Sequence, residues 1–192
     1  MSRQSAARDL EALRDEIEGL DRDIVELIAQ RTYFGSAVAA VKAERDIPTT
    51  DTDREQVVLD RAEDNAERFE VEHNLVRAVS RLLIELSKVE QQEDTAHMSQ
   101  TPEDMSLEEL REEISSIDRE IVELIARRTY VAETIADVKD EQGLPTTDEA
   151  QEQAVMDRAG ENAERFDVDS NLVKAIFRLL IELNKVEQRE SR

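Results

Sequence analysis

The sequence repeats itself once along its length, and this repetition limits what the chain can fold into. Segments recur 97 positions later without a gap, among them IVELIA at 24–29 and 121–126 and RLLIEL at 81–86 and 178–183. Two copies this similar are expected to share one fold. We expect a first repeat at 1–93, a polar linker at 94–104 and a second repeat at 105–192. A natural duplication and an engineered fusion of two genes are both compatible with this pattern.

Apolar residues in each copy recur at alternating steps of three and four, which is typical of helices. From Leu10 to Val41 this pattern predicts a first helix of about 35 residues. Pro48 and the TTD that follows end it, and a second helix is predicted from about Asp53 to Glu67, with Thr52 and Glu55 at the spacing of a capping box. A third helix follows FEVEHN. The fold class is therefore all-α, with three helices per copy.

The predicted first helix is long for so small a unit. At 1.5 Å per residue it would span about 50 Å, more than a copy of about 85 residues could cover alone. We therefore expect the two three-helix repeats to be intertwined and to pair with each other as a pseudo-dimer within one chain. Exchange of repeats between two chains is the alternative.

Composition excludes several classes of function. A net charge of -22 would repel a nucleic-acid backbone or an anionic membrane surface. With no cysteine and two histidines, no metal site or cofactor is expected. The N-terminus lacks the apolar core of a signal peptide, which favours a cytoplasmic protein. The acidity is typical of a halophilic protein, although an ordinary acidic protein is the alternative.

A cation interrupts the apolar stripe of the first helix at the same place in both copies, as Arg31 and Arg128. A buried cation is costly unless it has a partner, which can be a ligand or a facing carboxylate that fixes helix register. Lys42 follows Arg31 by eleven residues, almost three helical turns, and therefore shares its face. Arg14 precedes Arg31 by seventeen residues, so the two side chains differ in direction by about 100° around the helix. Any ligand that Arg14 binds should therefore lie on the neighbouring helix.

Other polar residues near this face each have a simpler structural explanation. Lys42 could stabilise the end of its helix, and Asp51 and Glu55 could cap the next one. Ser87 and Gln91 could be solvated surface. Their recurrence in one frame favours a binding site over these explanations.

Taken in order, LRDEI, IAQRT, AVKAE, DTDRE and ELSKVEQQ resemble the all-helical class of chorismate mutases, and the likeness covers nearly all of each copy. These are intertwined dimers whose active sites take residues from both subunits. The resemblance implies an intramolecular transferase (isomerase) of aromatic amino-acid biosynthesis that rearranges chorismate, a dicarboxylate, to prephenate. It implies catalytic roles for Arg31, Lys42, Gln91, Arg111 and Glu55, and substrate binding by Asp51, Arg54 and Ser87.

The resemblance also implies a second pocket, completed by Arg14 and formed by Arg128, Lys139, Asp148, Gln151, Glu152, Asn184 and Gln188. Gln151 and Asn184 depart from Arg54 and Ser87 of the first copy, which puts the activity of this pocket in doubt. Two alternative functions remain: an isochorismate-pyruvate lyase, which has a similar Arg/Lys set, and a non-catalytic helical regulatory module.

Overall fold

The computed structural model describes residues 3–48, 51–93, 105–145 and 149–190. Within these ranges it contains helices and no strand, which confirms the all-α prediction with three helices per copy. The helices are α1 Arg3–Glu44, α2 Thr52–Phe69, α3 His73–Glu93, α4 Leu107–Glu141, α5 Glu149–Arg165 and α6 Ser170–Glu190. At 42 residues, α1 is longer than the apolar pattern predicted. The predicted linker at 94–104 lies outside the described residues.

The start of α2 corrects one detail of the sequence prediction. Asp51, not Thr52, is the N-cap: its backbone is extended and its side chain accepts a hydrogen bond from the Arg54 backbone N–H at 3.0 Å. Thr52 is already the first helical residue. The negative charge of a carboxylate at this position also interacts favourably with the positive end of the helix dipole.

The long helices α1 and α4 end in the same way. Asp46 and Gly143 follow them with left-handed backbone angles, φ 54° and 65°. The next residue in each copy, Ile47 or Leu144, donates its N–H to the carbonyl oxygen of Lys42 or Lys139, at 2.9 and 2.8 Å. This termination leaves each of the two lysines in the last turn of its helix, where a cation is favoured.

The described residues form two compact units, and each unit takes residues from both repeats. One unit comprises Met1–Glu26 and Leu124–Arg192, and the other comprises Leu27–Glu123. We call them the split unit and the central unit. The central unit therefore holds the second half of α1, all of α2 and α3, and the first half of α4.

Each unit has its own apolar core. In the split unit, Ile17 and Leu20 of α1 pack with Val131 of α4, and Phe177 of α6 is fully buried. In the central unit, buried apolar side chains lie on all four helical segments, among them Ile28, Ala37, Ala66, Val76, Val79, Leu83, Leu110, Ile121 and Val122. Among the described helices, none has an apolar stretch long enough to cross a membrane.

Candidate active site

Arg31 of α1 lies in the core of the central unit with only 5% of its surface exposed. Its Nε donates to Asp118 Oδ1 at 2.6 Å, and its Nη1 donates to the Leu83 carbonyl oxygen at 2.9 Å and to Ser87 Oγ at 3.0 Å. The Ser87 hydroxyl in turn donates to the Leu83 carbonyl oxygen at 3.0 Å. This network fixes the guanidinium plane.

The sequence allowed two partners for Arg31, a facing carboxylate or a ligand. The structure gives it a carboxylate, Asp118 of α4, and also places Arg31 on the wall of a cavity. Asp118 was missed at the sequence level. The signal was present, because Asp118 directly follows the apolar residue Ile117 and recurs as Asp21 in the other copy, but nothing in the sequence showed which acid faces Arg31.

Lys42, three turns along α1 from Arg31, is 6% exposed and lines the same cavity. Burial lowers the pKa of Lys42 below its ordinary value of 10.5, and the positive charge of Arg111 acts in the same direction. Asp51 and Glu55 oppose this shift because their negative charges favour the ammonium form. Because Arg31 and Lys42 line one cavity, the shared helix face predicted from their eleven-residue spacing is confirmed.

The N-terminus of α2 brings three further residues to the cavity: Asp51, Arg54 and Glu55. Asp51 is a helix cap, as the simpler explanation proposed: it caps α2 with Oδ1, and its Oδ2 lies near Arg111 of α4. Burial lowers the pKa of the Arg54 guanidinium, and the positive charges of Arg61 and Arg111 lower it further.

Arg111 of α4 belongs to the second repeat and completes this cavity of the central unit. Its side chain is 22% exposed, and its Nη2 lies 3.7 Å from Asp51 Oδ2. The backbone carbonyl of Arg111 accepts a hydrogen bond from Ser115 Oγ at 2.9 Å. The expectation that one copy contributes an arginine beside residues of the other copy therefore agrees with the placement of Arg111.

These side chains surround a cavity of about 120 Å³. Four cations and two carboxylates line it, which leaves a local excess of two positive charges in a chain of net charge -22. The remaining wall is largely apolar. The full lining is Arg31, Gly35, Val38, Lys42, Asp51, Arg54, Glu55, Val58, Ile84, Ser87, Arg111 and Ile114.

Gly35 has a specific place in this wall that the sequence did not reveal. A Cβ atom built on it would lie 3.0 Å from Ser87 Oγ. Because Ser87 Oγ is bound to Arg31, any larger residue here would push on the hydrogen-bond network of Arg31. The second copy has Ala132 at the equivalent position.

The second predicted pocket is described only in part. Arg128 and Lys139 of α4 are buried in the split unit, at 3% and 7% exposure, as their counterparts are in the central unit. Gln151 and Glu152 are half-buried in α5, and Arg14 is half-buried in α1. Asp148 and the side chains of Asn184, Gln188 and Gln91 lie outside the described part of the chain.

Arg128 has a different environment from Arg31. Its Nε donates to Asp21 Oδ1 at 2.6 Å, and its guanidinium lies 5.9 Å from the ring centre of Phe177. Both partners of this ion pair are almost fully buried. Burial raises the pKa of Asp21, and the positive charge of Arg128 opposes that shift.

Among the described residues, no group of three histidine, cysteine or acidic side chains could hold a metal ion. The described cavity instead offers fixed cations and hydrogen-bond donors. Such an arrangement can bind a dianion and stabilise negative charge without proton transfer.

Comparison with known proteins agrees with the sequence resemblance. The model of the family "Chorismate mutase type II" matches twice, at residues 13–92 and 110–189. A chorismate mutase of Methanocaldococcus jannaschii is 37% identical over 84 residues, which cover 44% of this chain and 85% of that protein. The T-protein of Haemophilus influenzae is 32% identical over 73 residues, 38% of this chain and 19% of that protein. No solved structure matches significantly.

Proposed function

The chain belongs to the chorismate mutase type II family, and we propose that its Arg31 cavity carries out the rearrangement of chorismate to prephenate. The family models and the M. jannaschii relative support a chorismate mutase, and thus an isomerase that moves a group within one molecule. The observation that carries the assignment to this cavity is the burial of two of its cations, Arg31 and Lys42, which are 5% and 6% exposed. The excess of two positive charges also matches a substrate with two carboxylates, and the cations come from both repeats.

The reaction breaks an ether C–O bond as a C–C bond forms, and it needs neither a nucleophile nor a proton transfer. The protein must therefore select a compact substrate conformation and stabilise the charge that develops. We assign Arg31 and Arg111 to the two carboxylates, because a guanidinium can hold a carboxylate with two parallel hydrogen bonds. Their positions on different helices would hold the substrate folded between them.

Negative charge gathers on the ether oxygen as the C–O bond breaks, so a donor aimed there favours the transition state over the substrate. We assign this role to Lys42, which is buried in the cavity wall. We propose Gln91 of α3 as the second, neutral donor.

The N-terminal end of α2 is the proposed binding site for the ring hydroxyl. Glu55 and Asp51 can accept its hydrogen bond, and backbone N–H groups at the helix start can donate to it. Arg54 would stabilise this end of the substrate by its charge, and Ser87 would add a hydrogen bond to a carboxylate already held by Arg31.

A direct assay tests this function. Purified full-length protein is mixed with chorismate, and the loss of chorismate and the appearance of prephenate are followed. A parallel reaction contains isochorismate instead, and the release of pyruvate is followed. We expect prephenate from chorismate and little pyruvate from isochorismate. Release of pyruvate from isochorismate as the main reaction would identify a lyase. No turnover, together with a melting temperature that chorismate does not change, would indicate a regulatory module.

We further propose that the repeats pair within one chain. Two ion pairs, Arg31 with Asp118 and Arg128 with Asp21, each join residues of the two copies and support this arrangement. Light scattering at several protein concentrations and salt levels should give the mass of one chain, 21.9 kDa. A mass that doubles with concentration would indicate exchange of repeats between chains.

The acidic composition supports a third proposal, that the protein works in the cytoplasm of a cell with high internal salt. Dense carboxylates repel one another at low ionic strength, and salt screens that repulsion. The melting temperature and the turnover rate should therefore both rise from dilute buffer to molar KCl. A melting temperature that does not depend on salt would contradict this proposal.

A further inference from the structure

The central unit contains a second and larger cavity that the proposed reaction does not use. It has a volume of about 250 Å³ and lies among α2, α3 and the first half of α4. Val58 lines both this cavity and the Arg31 cavity. We call it the Arg61 cavity; its lining is Val58, Arg61, Ala62, Asp64, Asn65, Arg68, Ser80, Ser115, Asp118, Arg119 and Val122.

One sequence difference between the copies falls on the wall of this cavity. Ser80, 9% exposed, lies on the wall of the Arg61 cavity, and its counterpart 97 residues later is Phe177. In the split unit Phe177 is fully buried and its ring lies beside Arg128. The first copy thus has a small hydroxyl where the second copy fills the core with an aromatic ring.

A second difference concerns the charges at the rim. In the split unit Arg158 pairs with Glu18 at 3.2 Å. Their counterparts in the central unit are Arg61 and Ser115. Arg61 Nη1 donates a hydrogen bond to Ser115 Oγ, and because a hydroxyl carries no charge, this contact does not neutralise the guanidinium. The positive charge of Arg61 is also one of the causes that lower the pKa of Arg54.

The charge balance of the Arg61 cavity favours an anion. Arg61, Arg68 and Arg119 contribute three positive charges to its lining, against the carboxylates of Asp64 and Asp118. Asp118 is already neutralised by Arg31 through their 2.6 Å contact. The remaining excess is two positive charges, although the whole chain is strongly acidic.

The polar groups between these cations indicate what the anion should carry besides its charge. Ser80, Ser115 and the Asn65 amide offer hydrogen-bond donors and acceptors within the same lining, and Asp64 offers an acceptor. Ser115 is already bonded to Arg61 and to the Arg111 carbonyl oxygen, whereas a hydroxyl group on the ligand could form hydrogen bonds with Ser80, Asn65 or Asp64. We infer that the Arg61 cavity is a binding site for a small organic carboxylate that also carries a hydroxyl group.

Isothermal titration calorimetry on the full-length protein tests this inference without any substrate turnover. The probes are malate, which has two carboxylates and a hydroxyl, succinate, which lacks the hydroxyl, and inorganic phosphate, all at one fixed ionic strength. The Lys42→Gln variant is titrated in parallel, because a dicarboxylate could also enter the Arg31 cavity. We expect malate to bind both proteins, and more tightly than succinate or phosphate.

Two variants locate the binding. Ser80→Phe introduces the residue of the second copy and should weaken malate binding by about 10-fold or more, because the ring fills the space the ligand needs. Arg61→Gln combined with Arg119→Gln should do the same by removing charge, and it leaves the core unchanged if Ser80→Phe fails to fold. Arg158→Gln, at the equivalent of Arg61 in the split unit, is the matched control and should not change the affinity.

Three results would overturn the inference. The first is malate binding that disappears in Lys42→Gln, which would place it in the Arg31 cavity. The second is malate binding that survives both Ser80→Phe and the double arginine variant. The third is phosphate or succinate binding at least as tightly as malate, which would reject the hydroxycarboxylate as the ligand class. Because no step measures rearrangement, the result is independent of the proposed function.

Discussion

Arg31 and Arg128 stand at equivalent positions of the two copies, but their surroundings differ. Both donate from Nε to an aspartate at 2.6 Å. Beyond that contact, Arg31 is held by the hydroxyl of Ser87 and the carbonyl of Leu83, whereas Arg128 lies beside the ring of Phe177. The acid that pairs with Arg31 is 20% exposed at its side chain, and the acid that pairs with Arg128 is 3% exposed.

This comparison distinguishes the roles of two equivalent buried arginines. In the central unit the cation is oriented by polar groups at the wall of a cavity with excess positive charge, which favours ligand binding. In the split unit the cation is part of a buried ion pair packed against an aromatic ring, which favours structure. Gln151, Asn184 and Ala132 replace Arg54, Ser87 and Gly35 in the second copy, so several changes fall on one set of positions.

The largest expected effect is that replacing Arg31 lowers activity, whereas replacing Arg128 lowers stability. Arg31→Ala should lower kcat/KM for chorismate by about 1,000-fold, because it removes a preorganised charge from the proposed site. Arg128→Ala should leave turnover within about 2-fold. It should instead lower the free energy of unfolding by about 3 kcal/mol, since it leaves Asp21 buried without its cation.

Chorismate kinetics and urea unfolding of both variants, in the same molar KCl buffer, measure these two losses. Equal losses of activity in the two variants would show that both pockets turn over substrate. A larger loss of stability in Arg31→Ala than in Arg128→Ala would contradict the structural role assigned to Arg128.

A smaller effect is expected from closing the gap beside Ser87. In Gly35→Ala the new Cβ would lie 3.0 Å from Ser87 Oγ and would displace the group that orients Arg31. We expect kcat/KM to fall by about 10-fold. Gly19→Ala is the matched control on the same helix, because a Cβ there meets nothing within 4 Å. Full activity of Gly35→Ala would mean that the position of Ser87 does not matter for turnover.

The pH profile should reveal Lys42. The ammonium form is the one that can donate to the ether oxygen, and burial lowers the pKa of Lys42 from 10.5. As pH rises through this lowered value the proton is lost, so kcat/KM should fall at a pH below that expected for an exposed lysine. Through neutrality the rate should stay level, because the other proposed donor, Gln91, does not titrate. In Lys42→Arg the alkaline fall should disappear, whatever the absolute rate, and its persistence would assign it to another group.

The smallest expected effect lies in the second copy, at Gly160 of α5. Alanine in a helix interior is favoured over glycine by up to about 1 kcal/mol. The new Cβ would lie 2.8 Å from Lys174 Cε, but that atom is at the far end of a flexible side chain and can move. Gly160→Ala should therefore stabilise the protein by about 0.5 kcal/mol in thermal unfolding. Net destabilisation would show that Lys174 is held in place.

Much of the fold was readable from the sequence because it depends on local periodicity. The three-four spacing from Leu10 onward predicted α1, and the interruption of that spacing by Arg31 marked the candidate site. The spacing to Lys42 placed it on the same face by helix geometry alone.

What remained hidden depends on contacts between distant segments. Asp118 is 87 residues from Arg31, and periodicity cannot pair one acid among 47 with one base. The Arg61 cavity is lined by Arg61 of α2, Ser80 of α3 and Arg119 of α4, which periodicity within one helix cannot bring together. The start of α2 was missed by one residue because Asp51 and Thr52 are both good N-caps, and only the backbone angles distinguish them.

The central claim is that Arg111 of the second repeat acts in the pocket of the first repeat. Measuring kcat/KM for chorismate in Arg111→Ala beside Arg14→Ala tests it most directly, because the two residues are equivalent in sequence and differ in the pocket they would complete. We predict a loss of about 100-fold or more in Arg111→Ala and at least roughly half of the activity retained in Arg14→Ala. A large loss in Arg14→Ala with little change in Arg111→Ala would contradict the account.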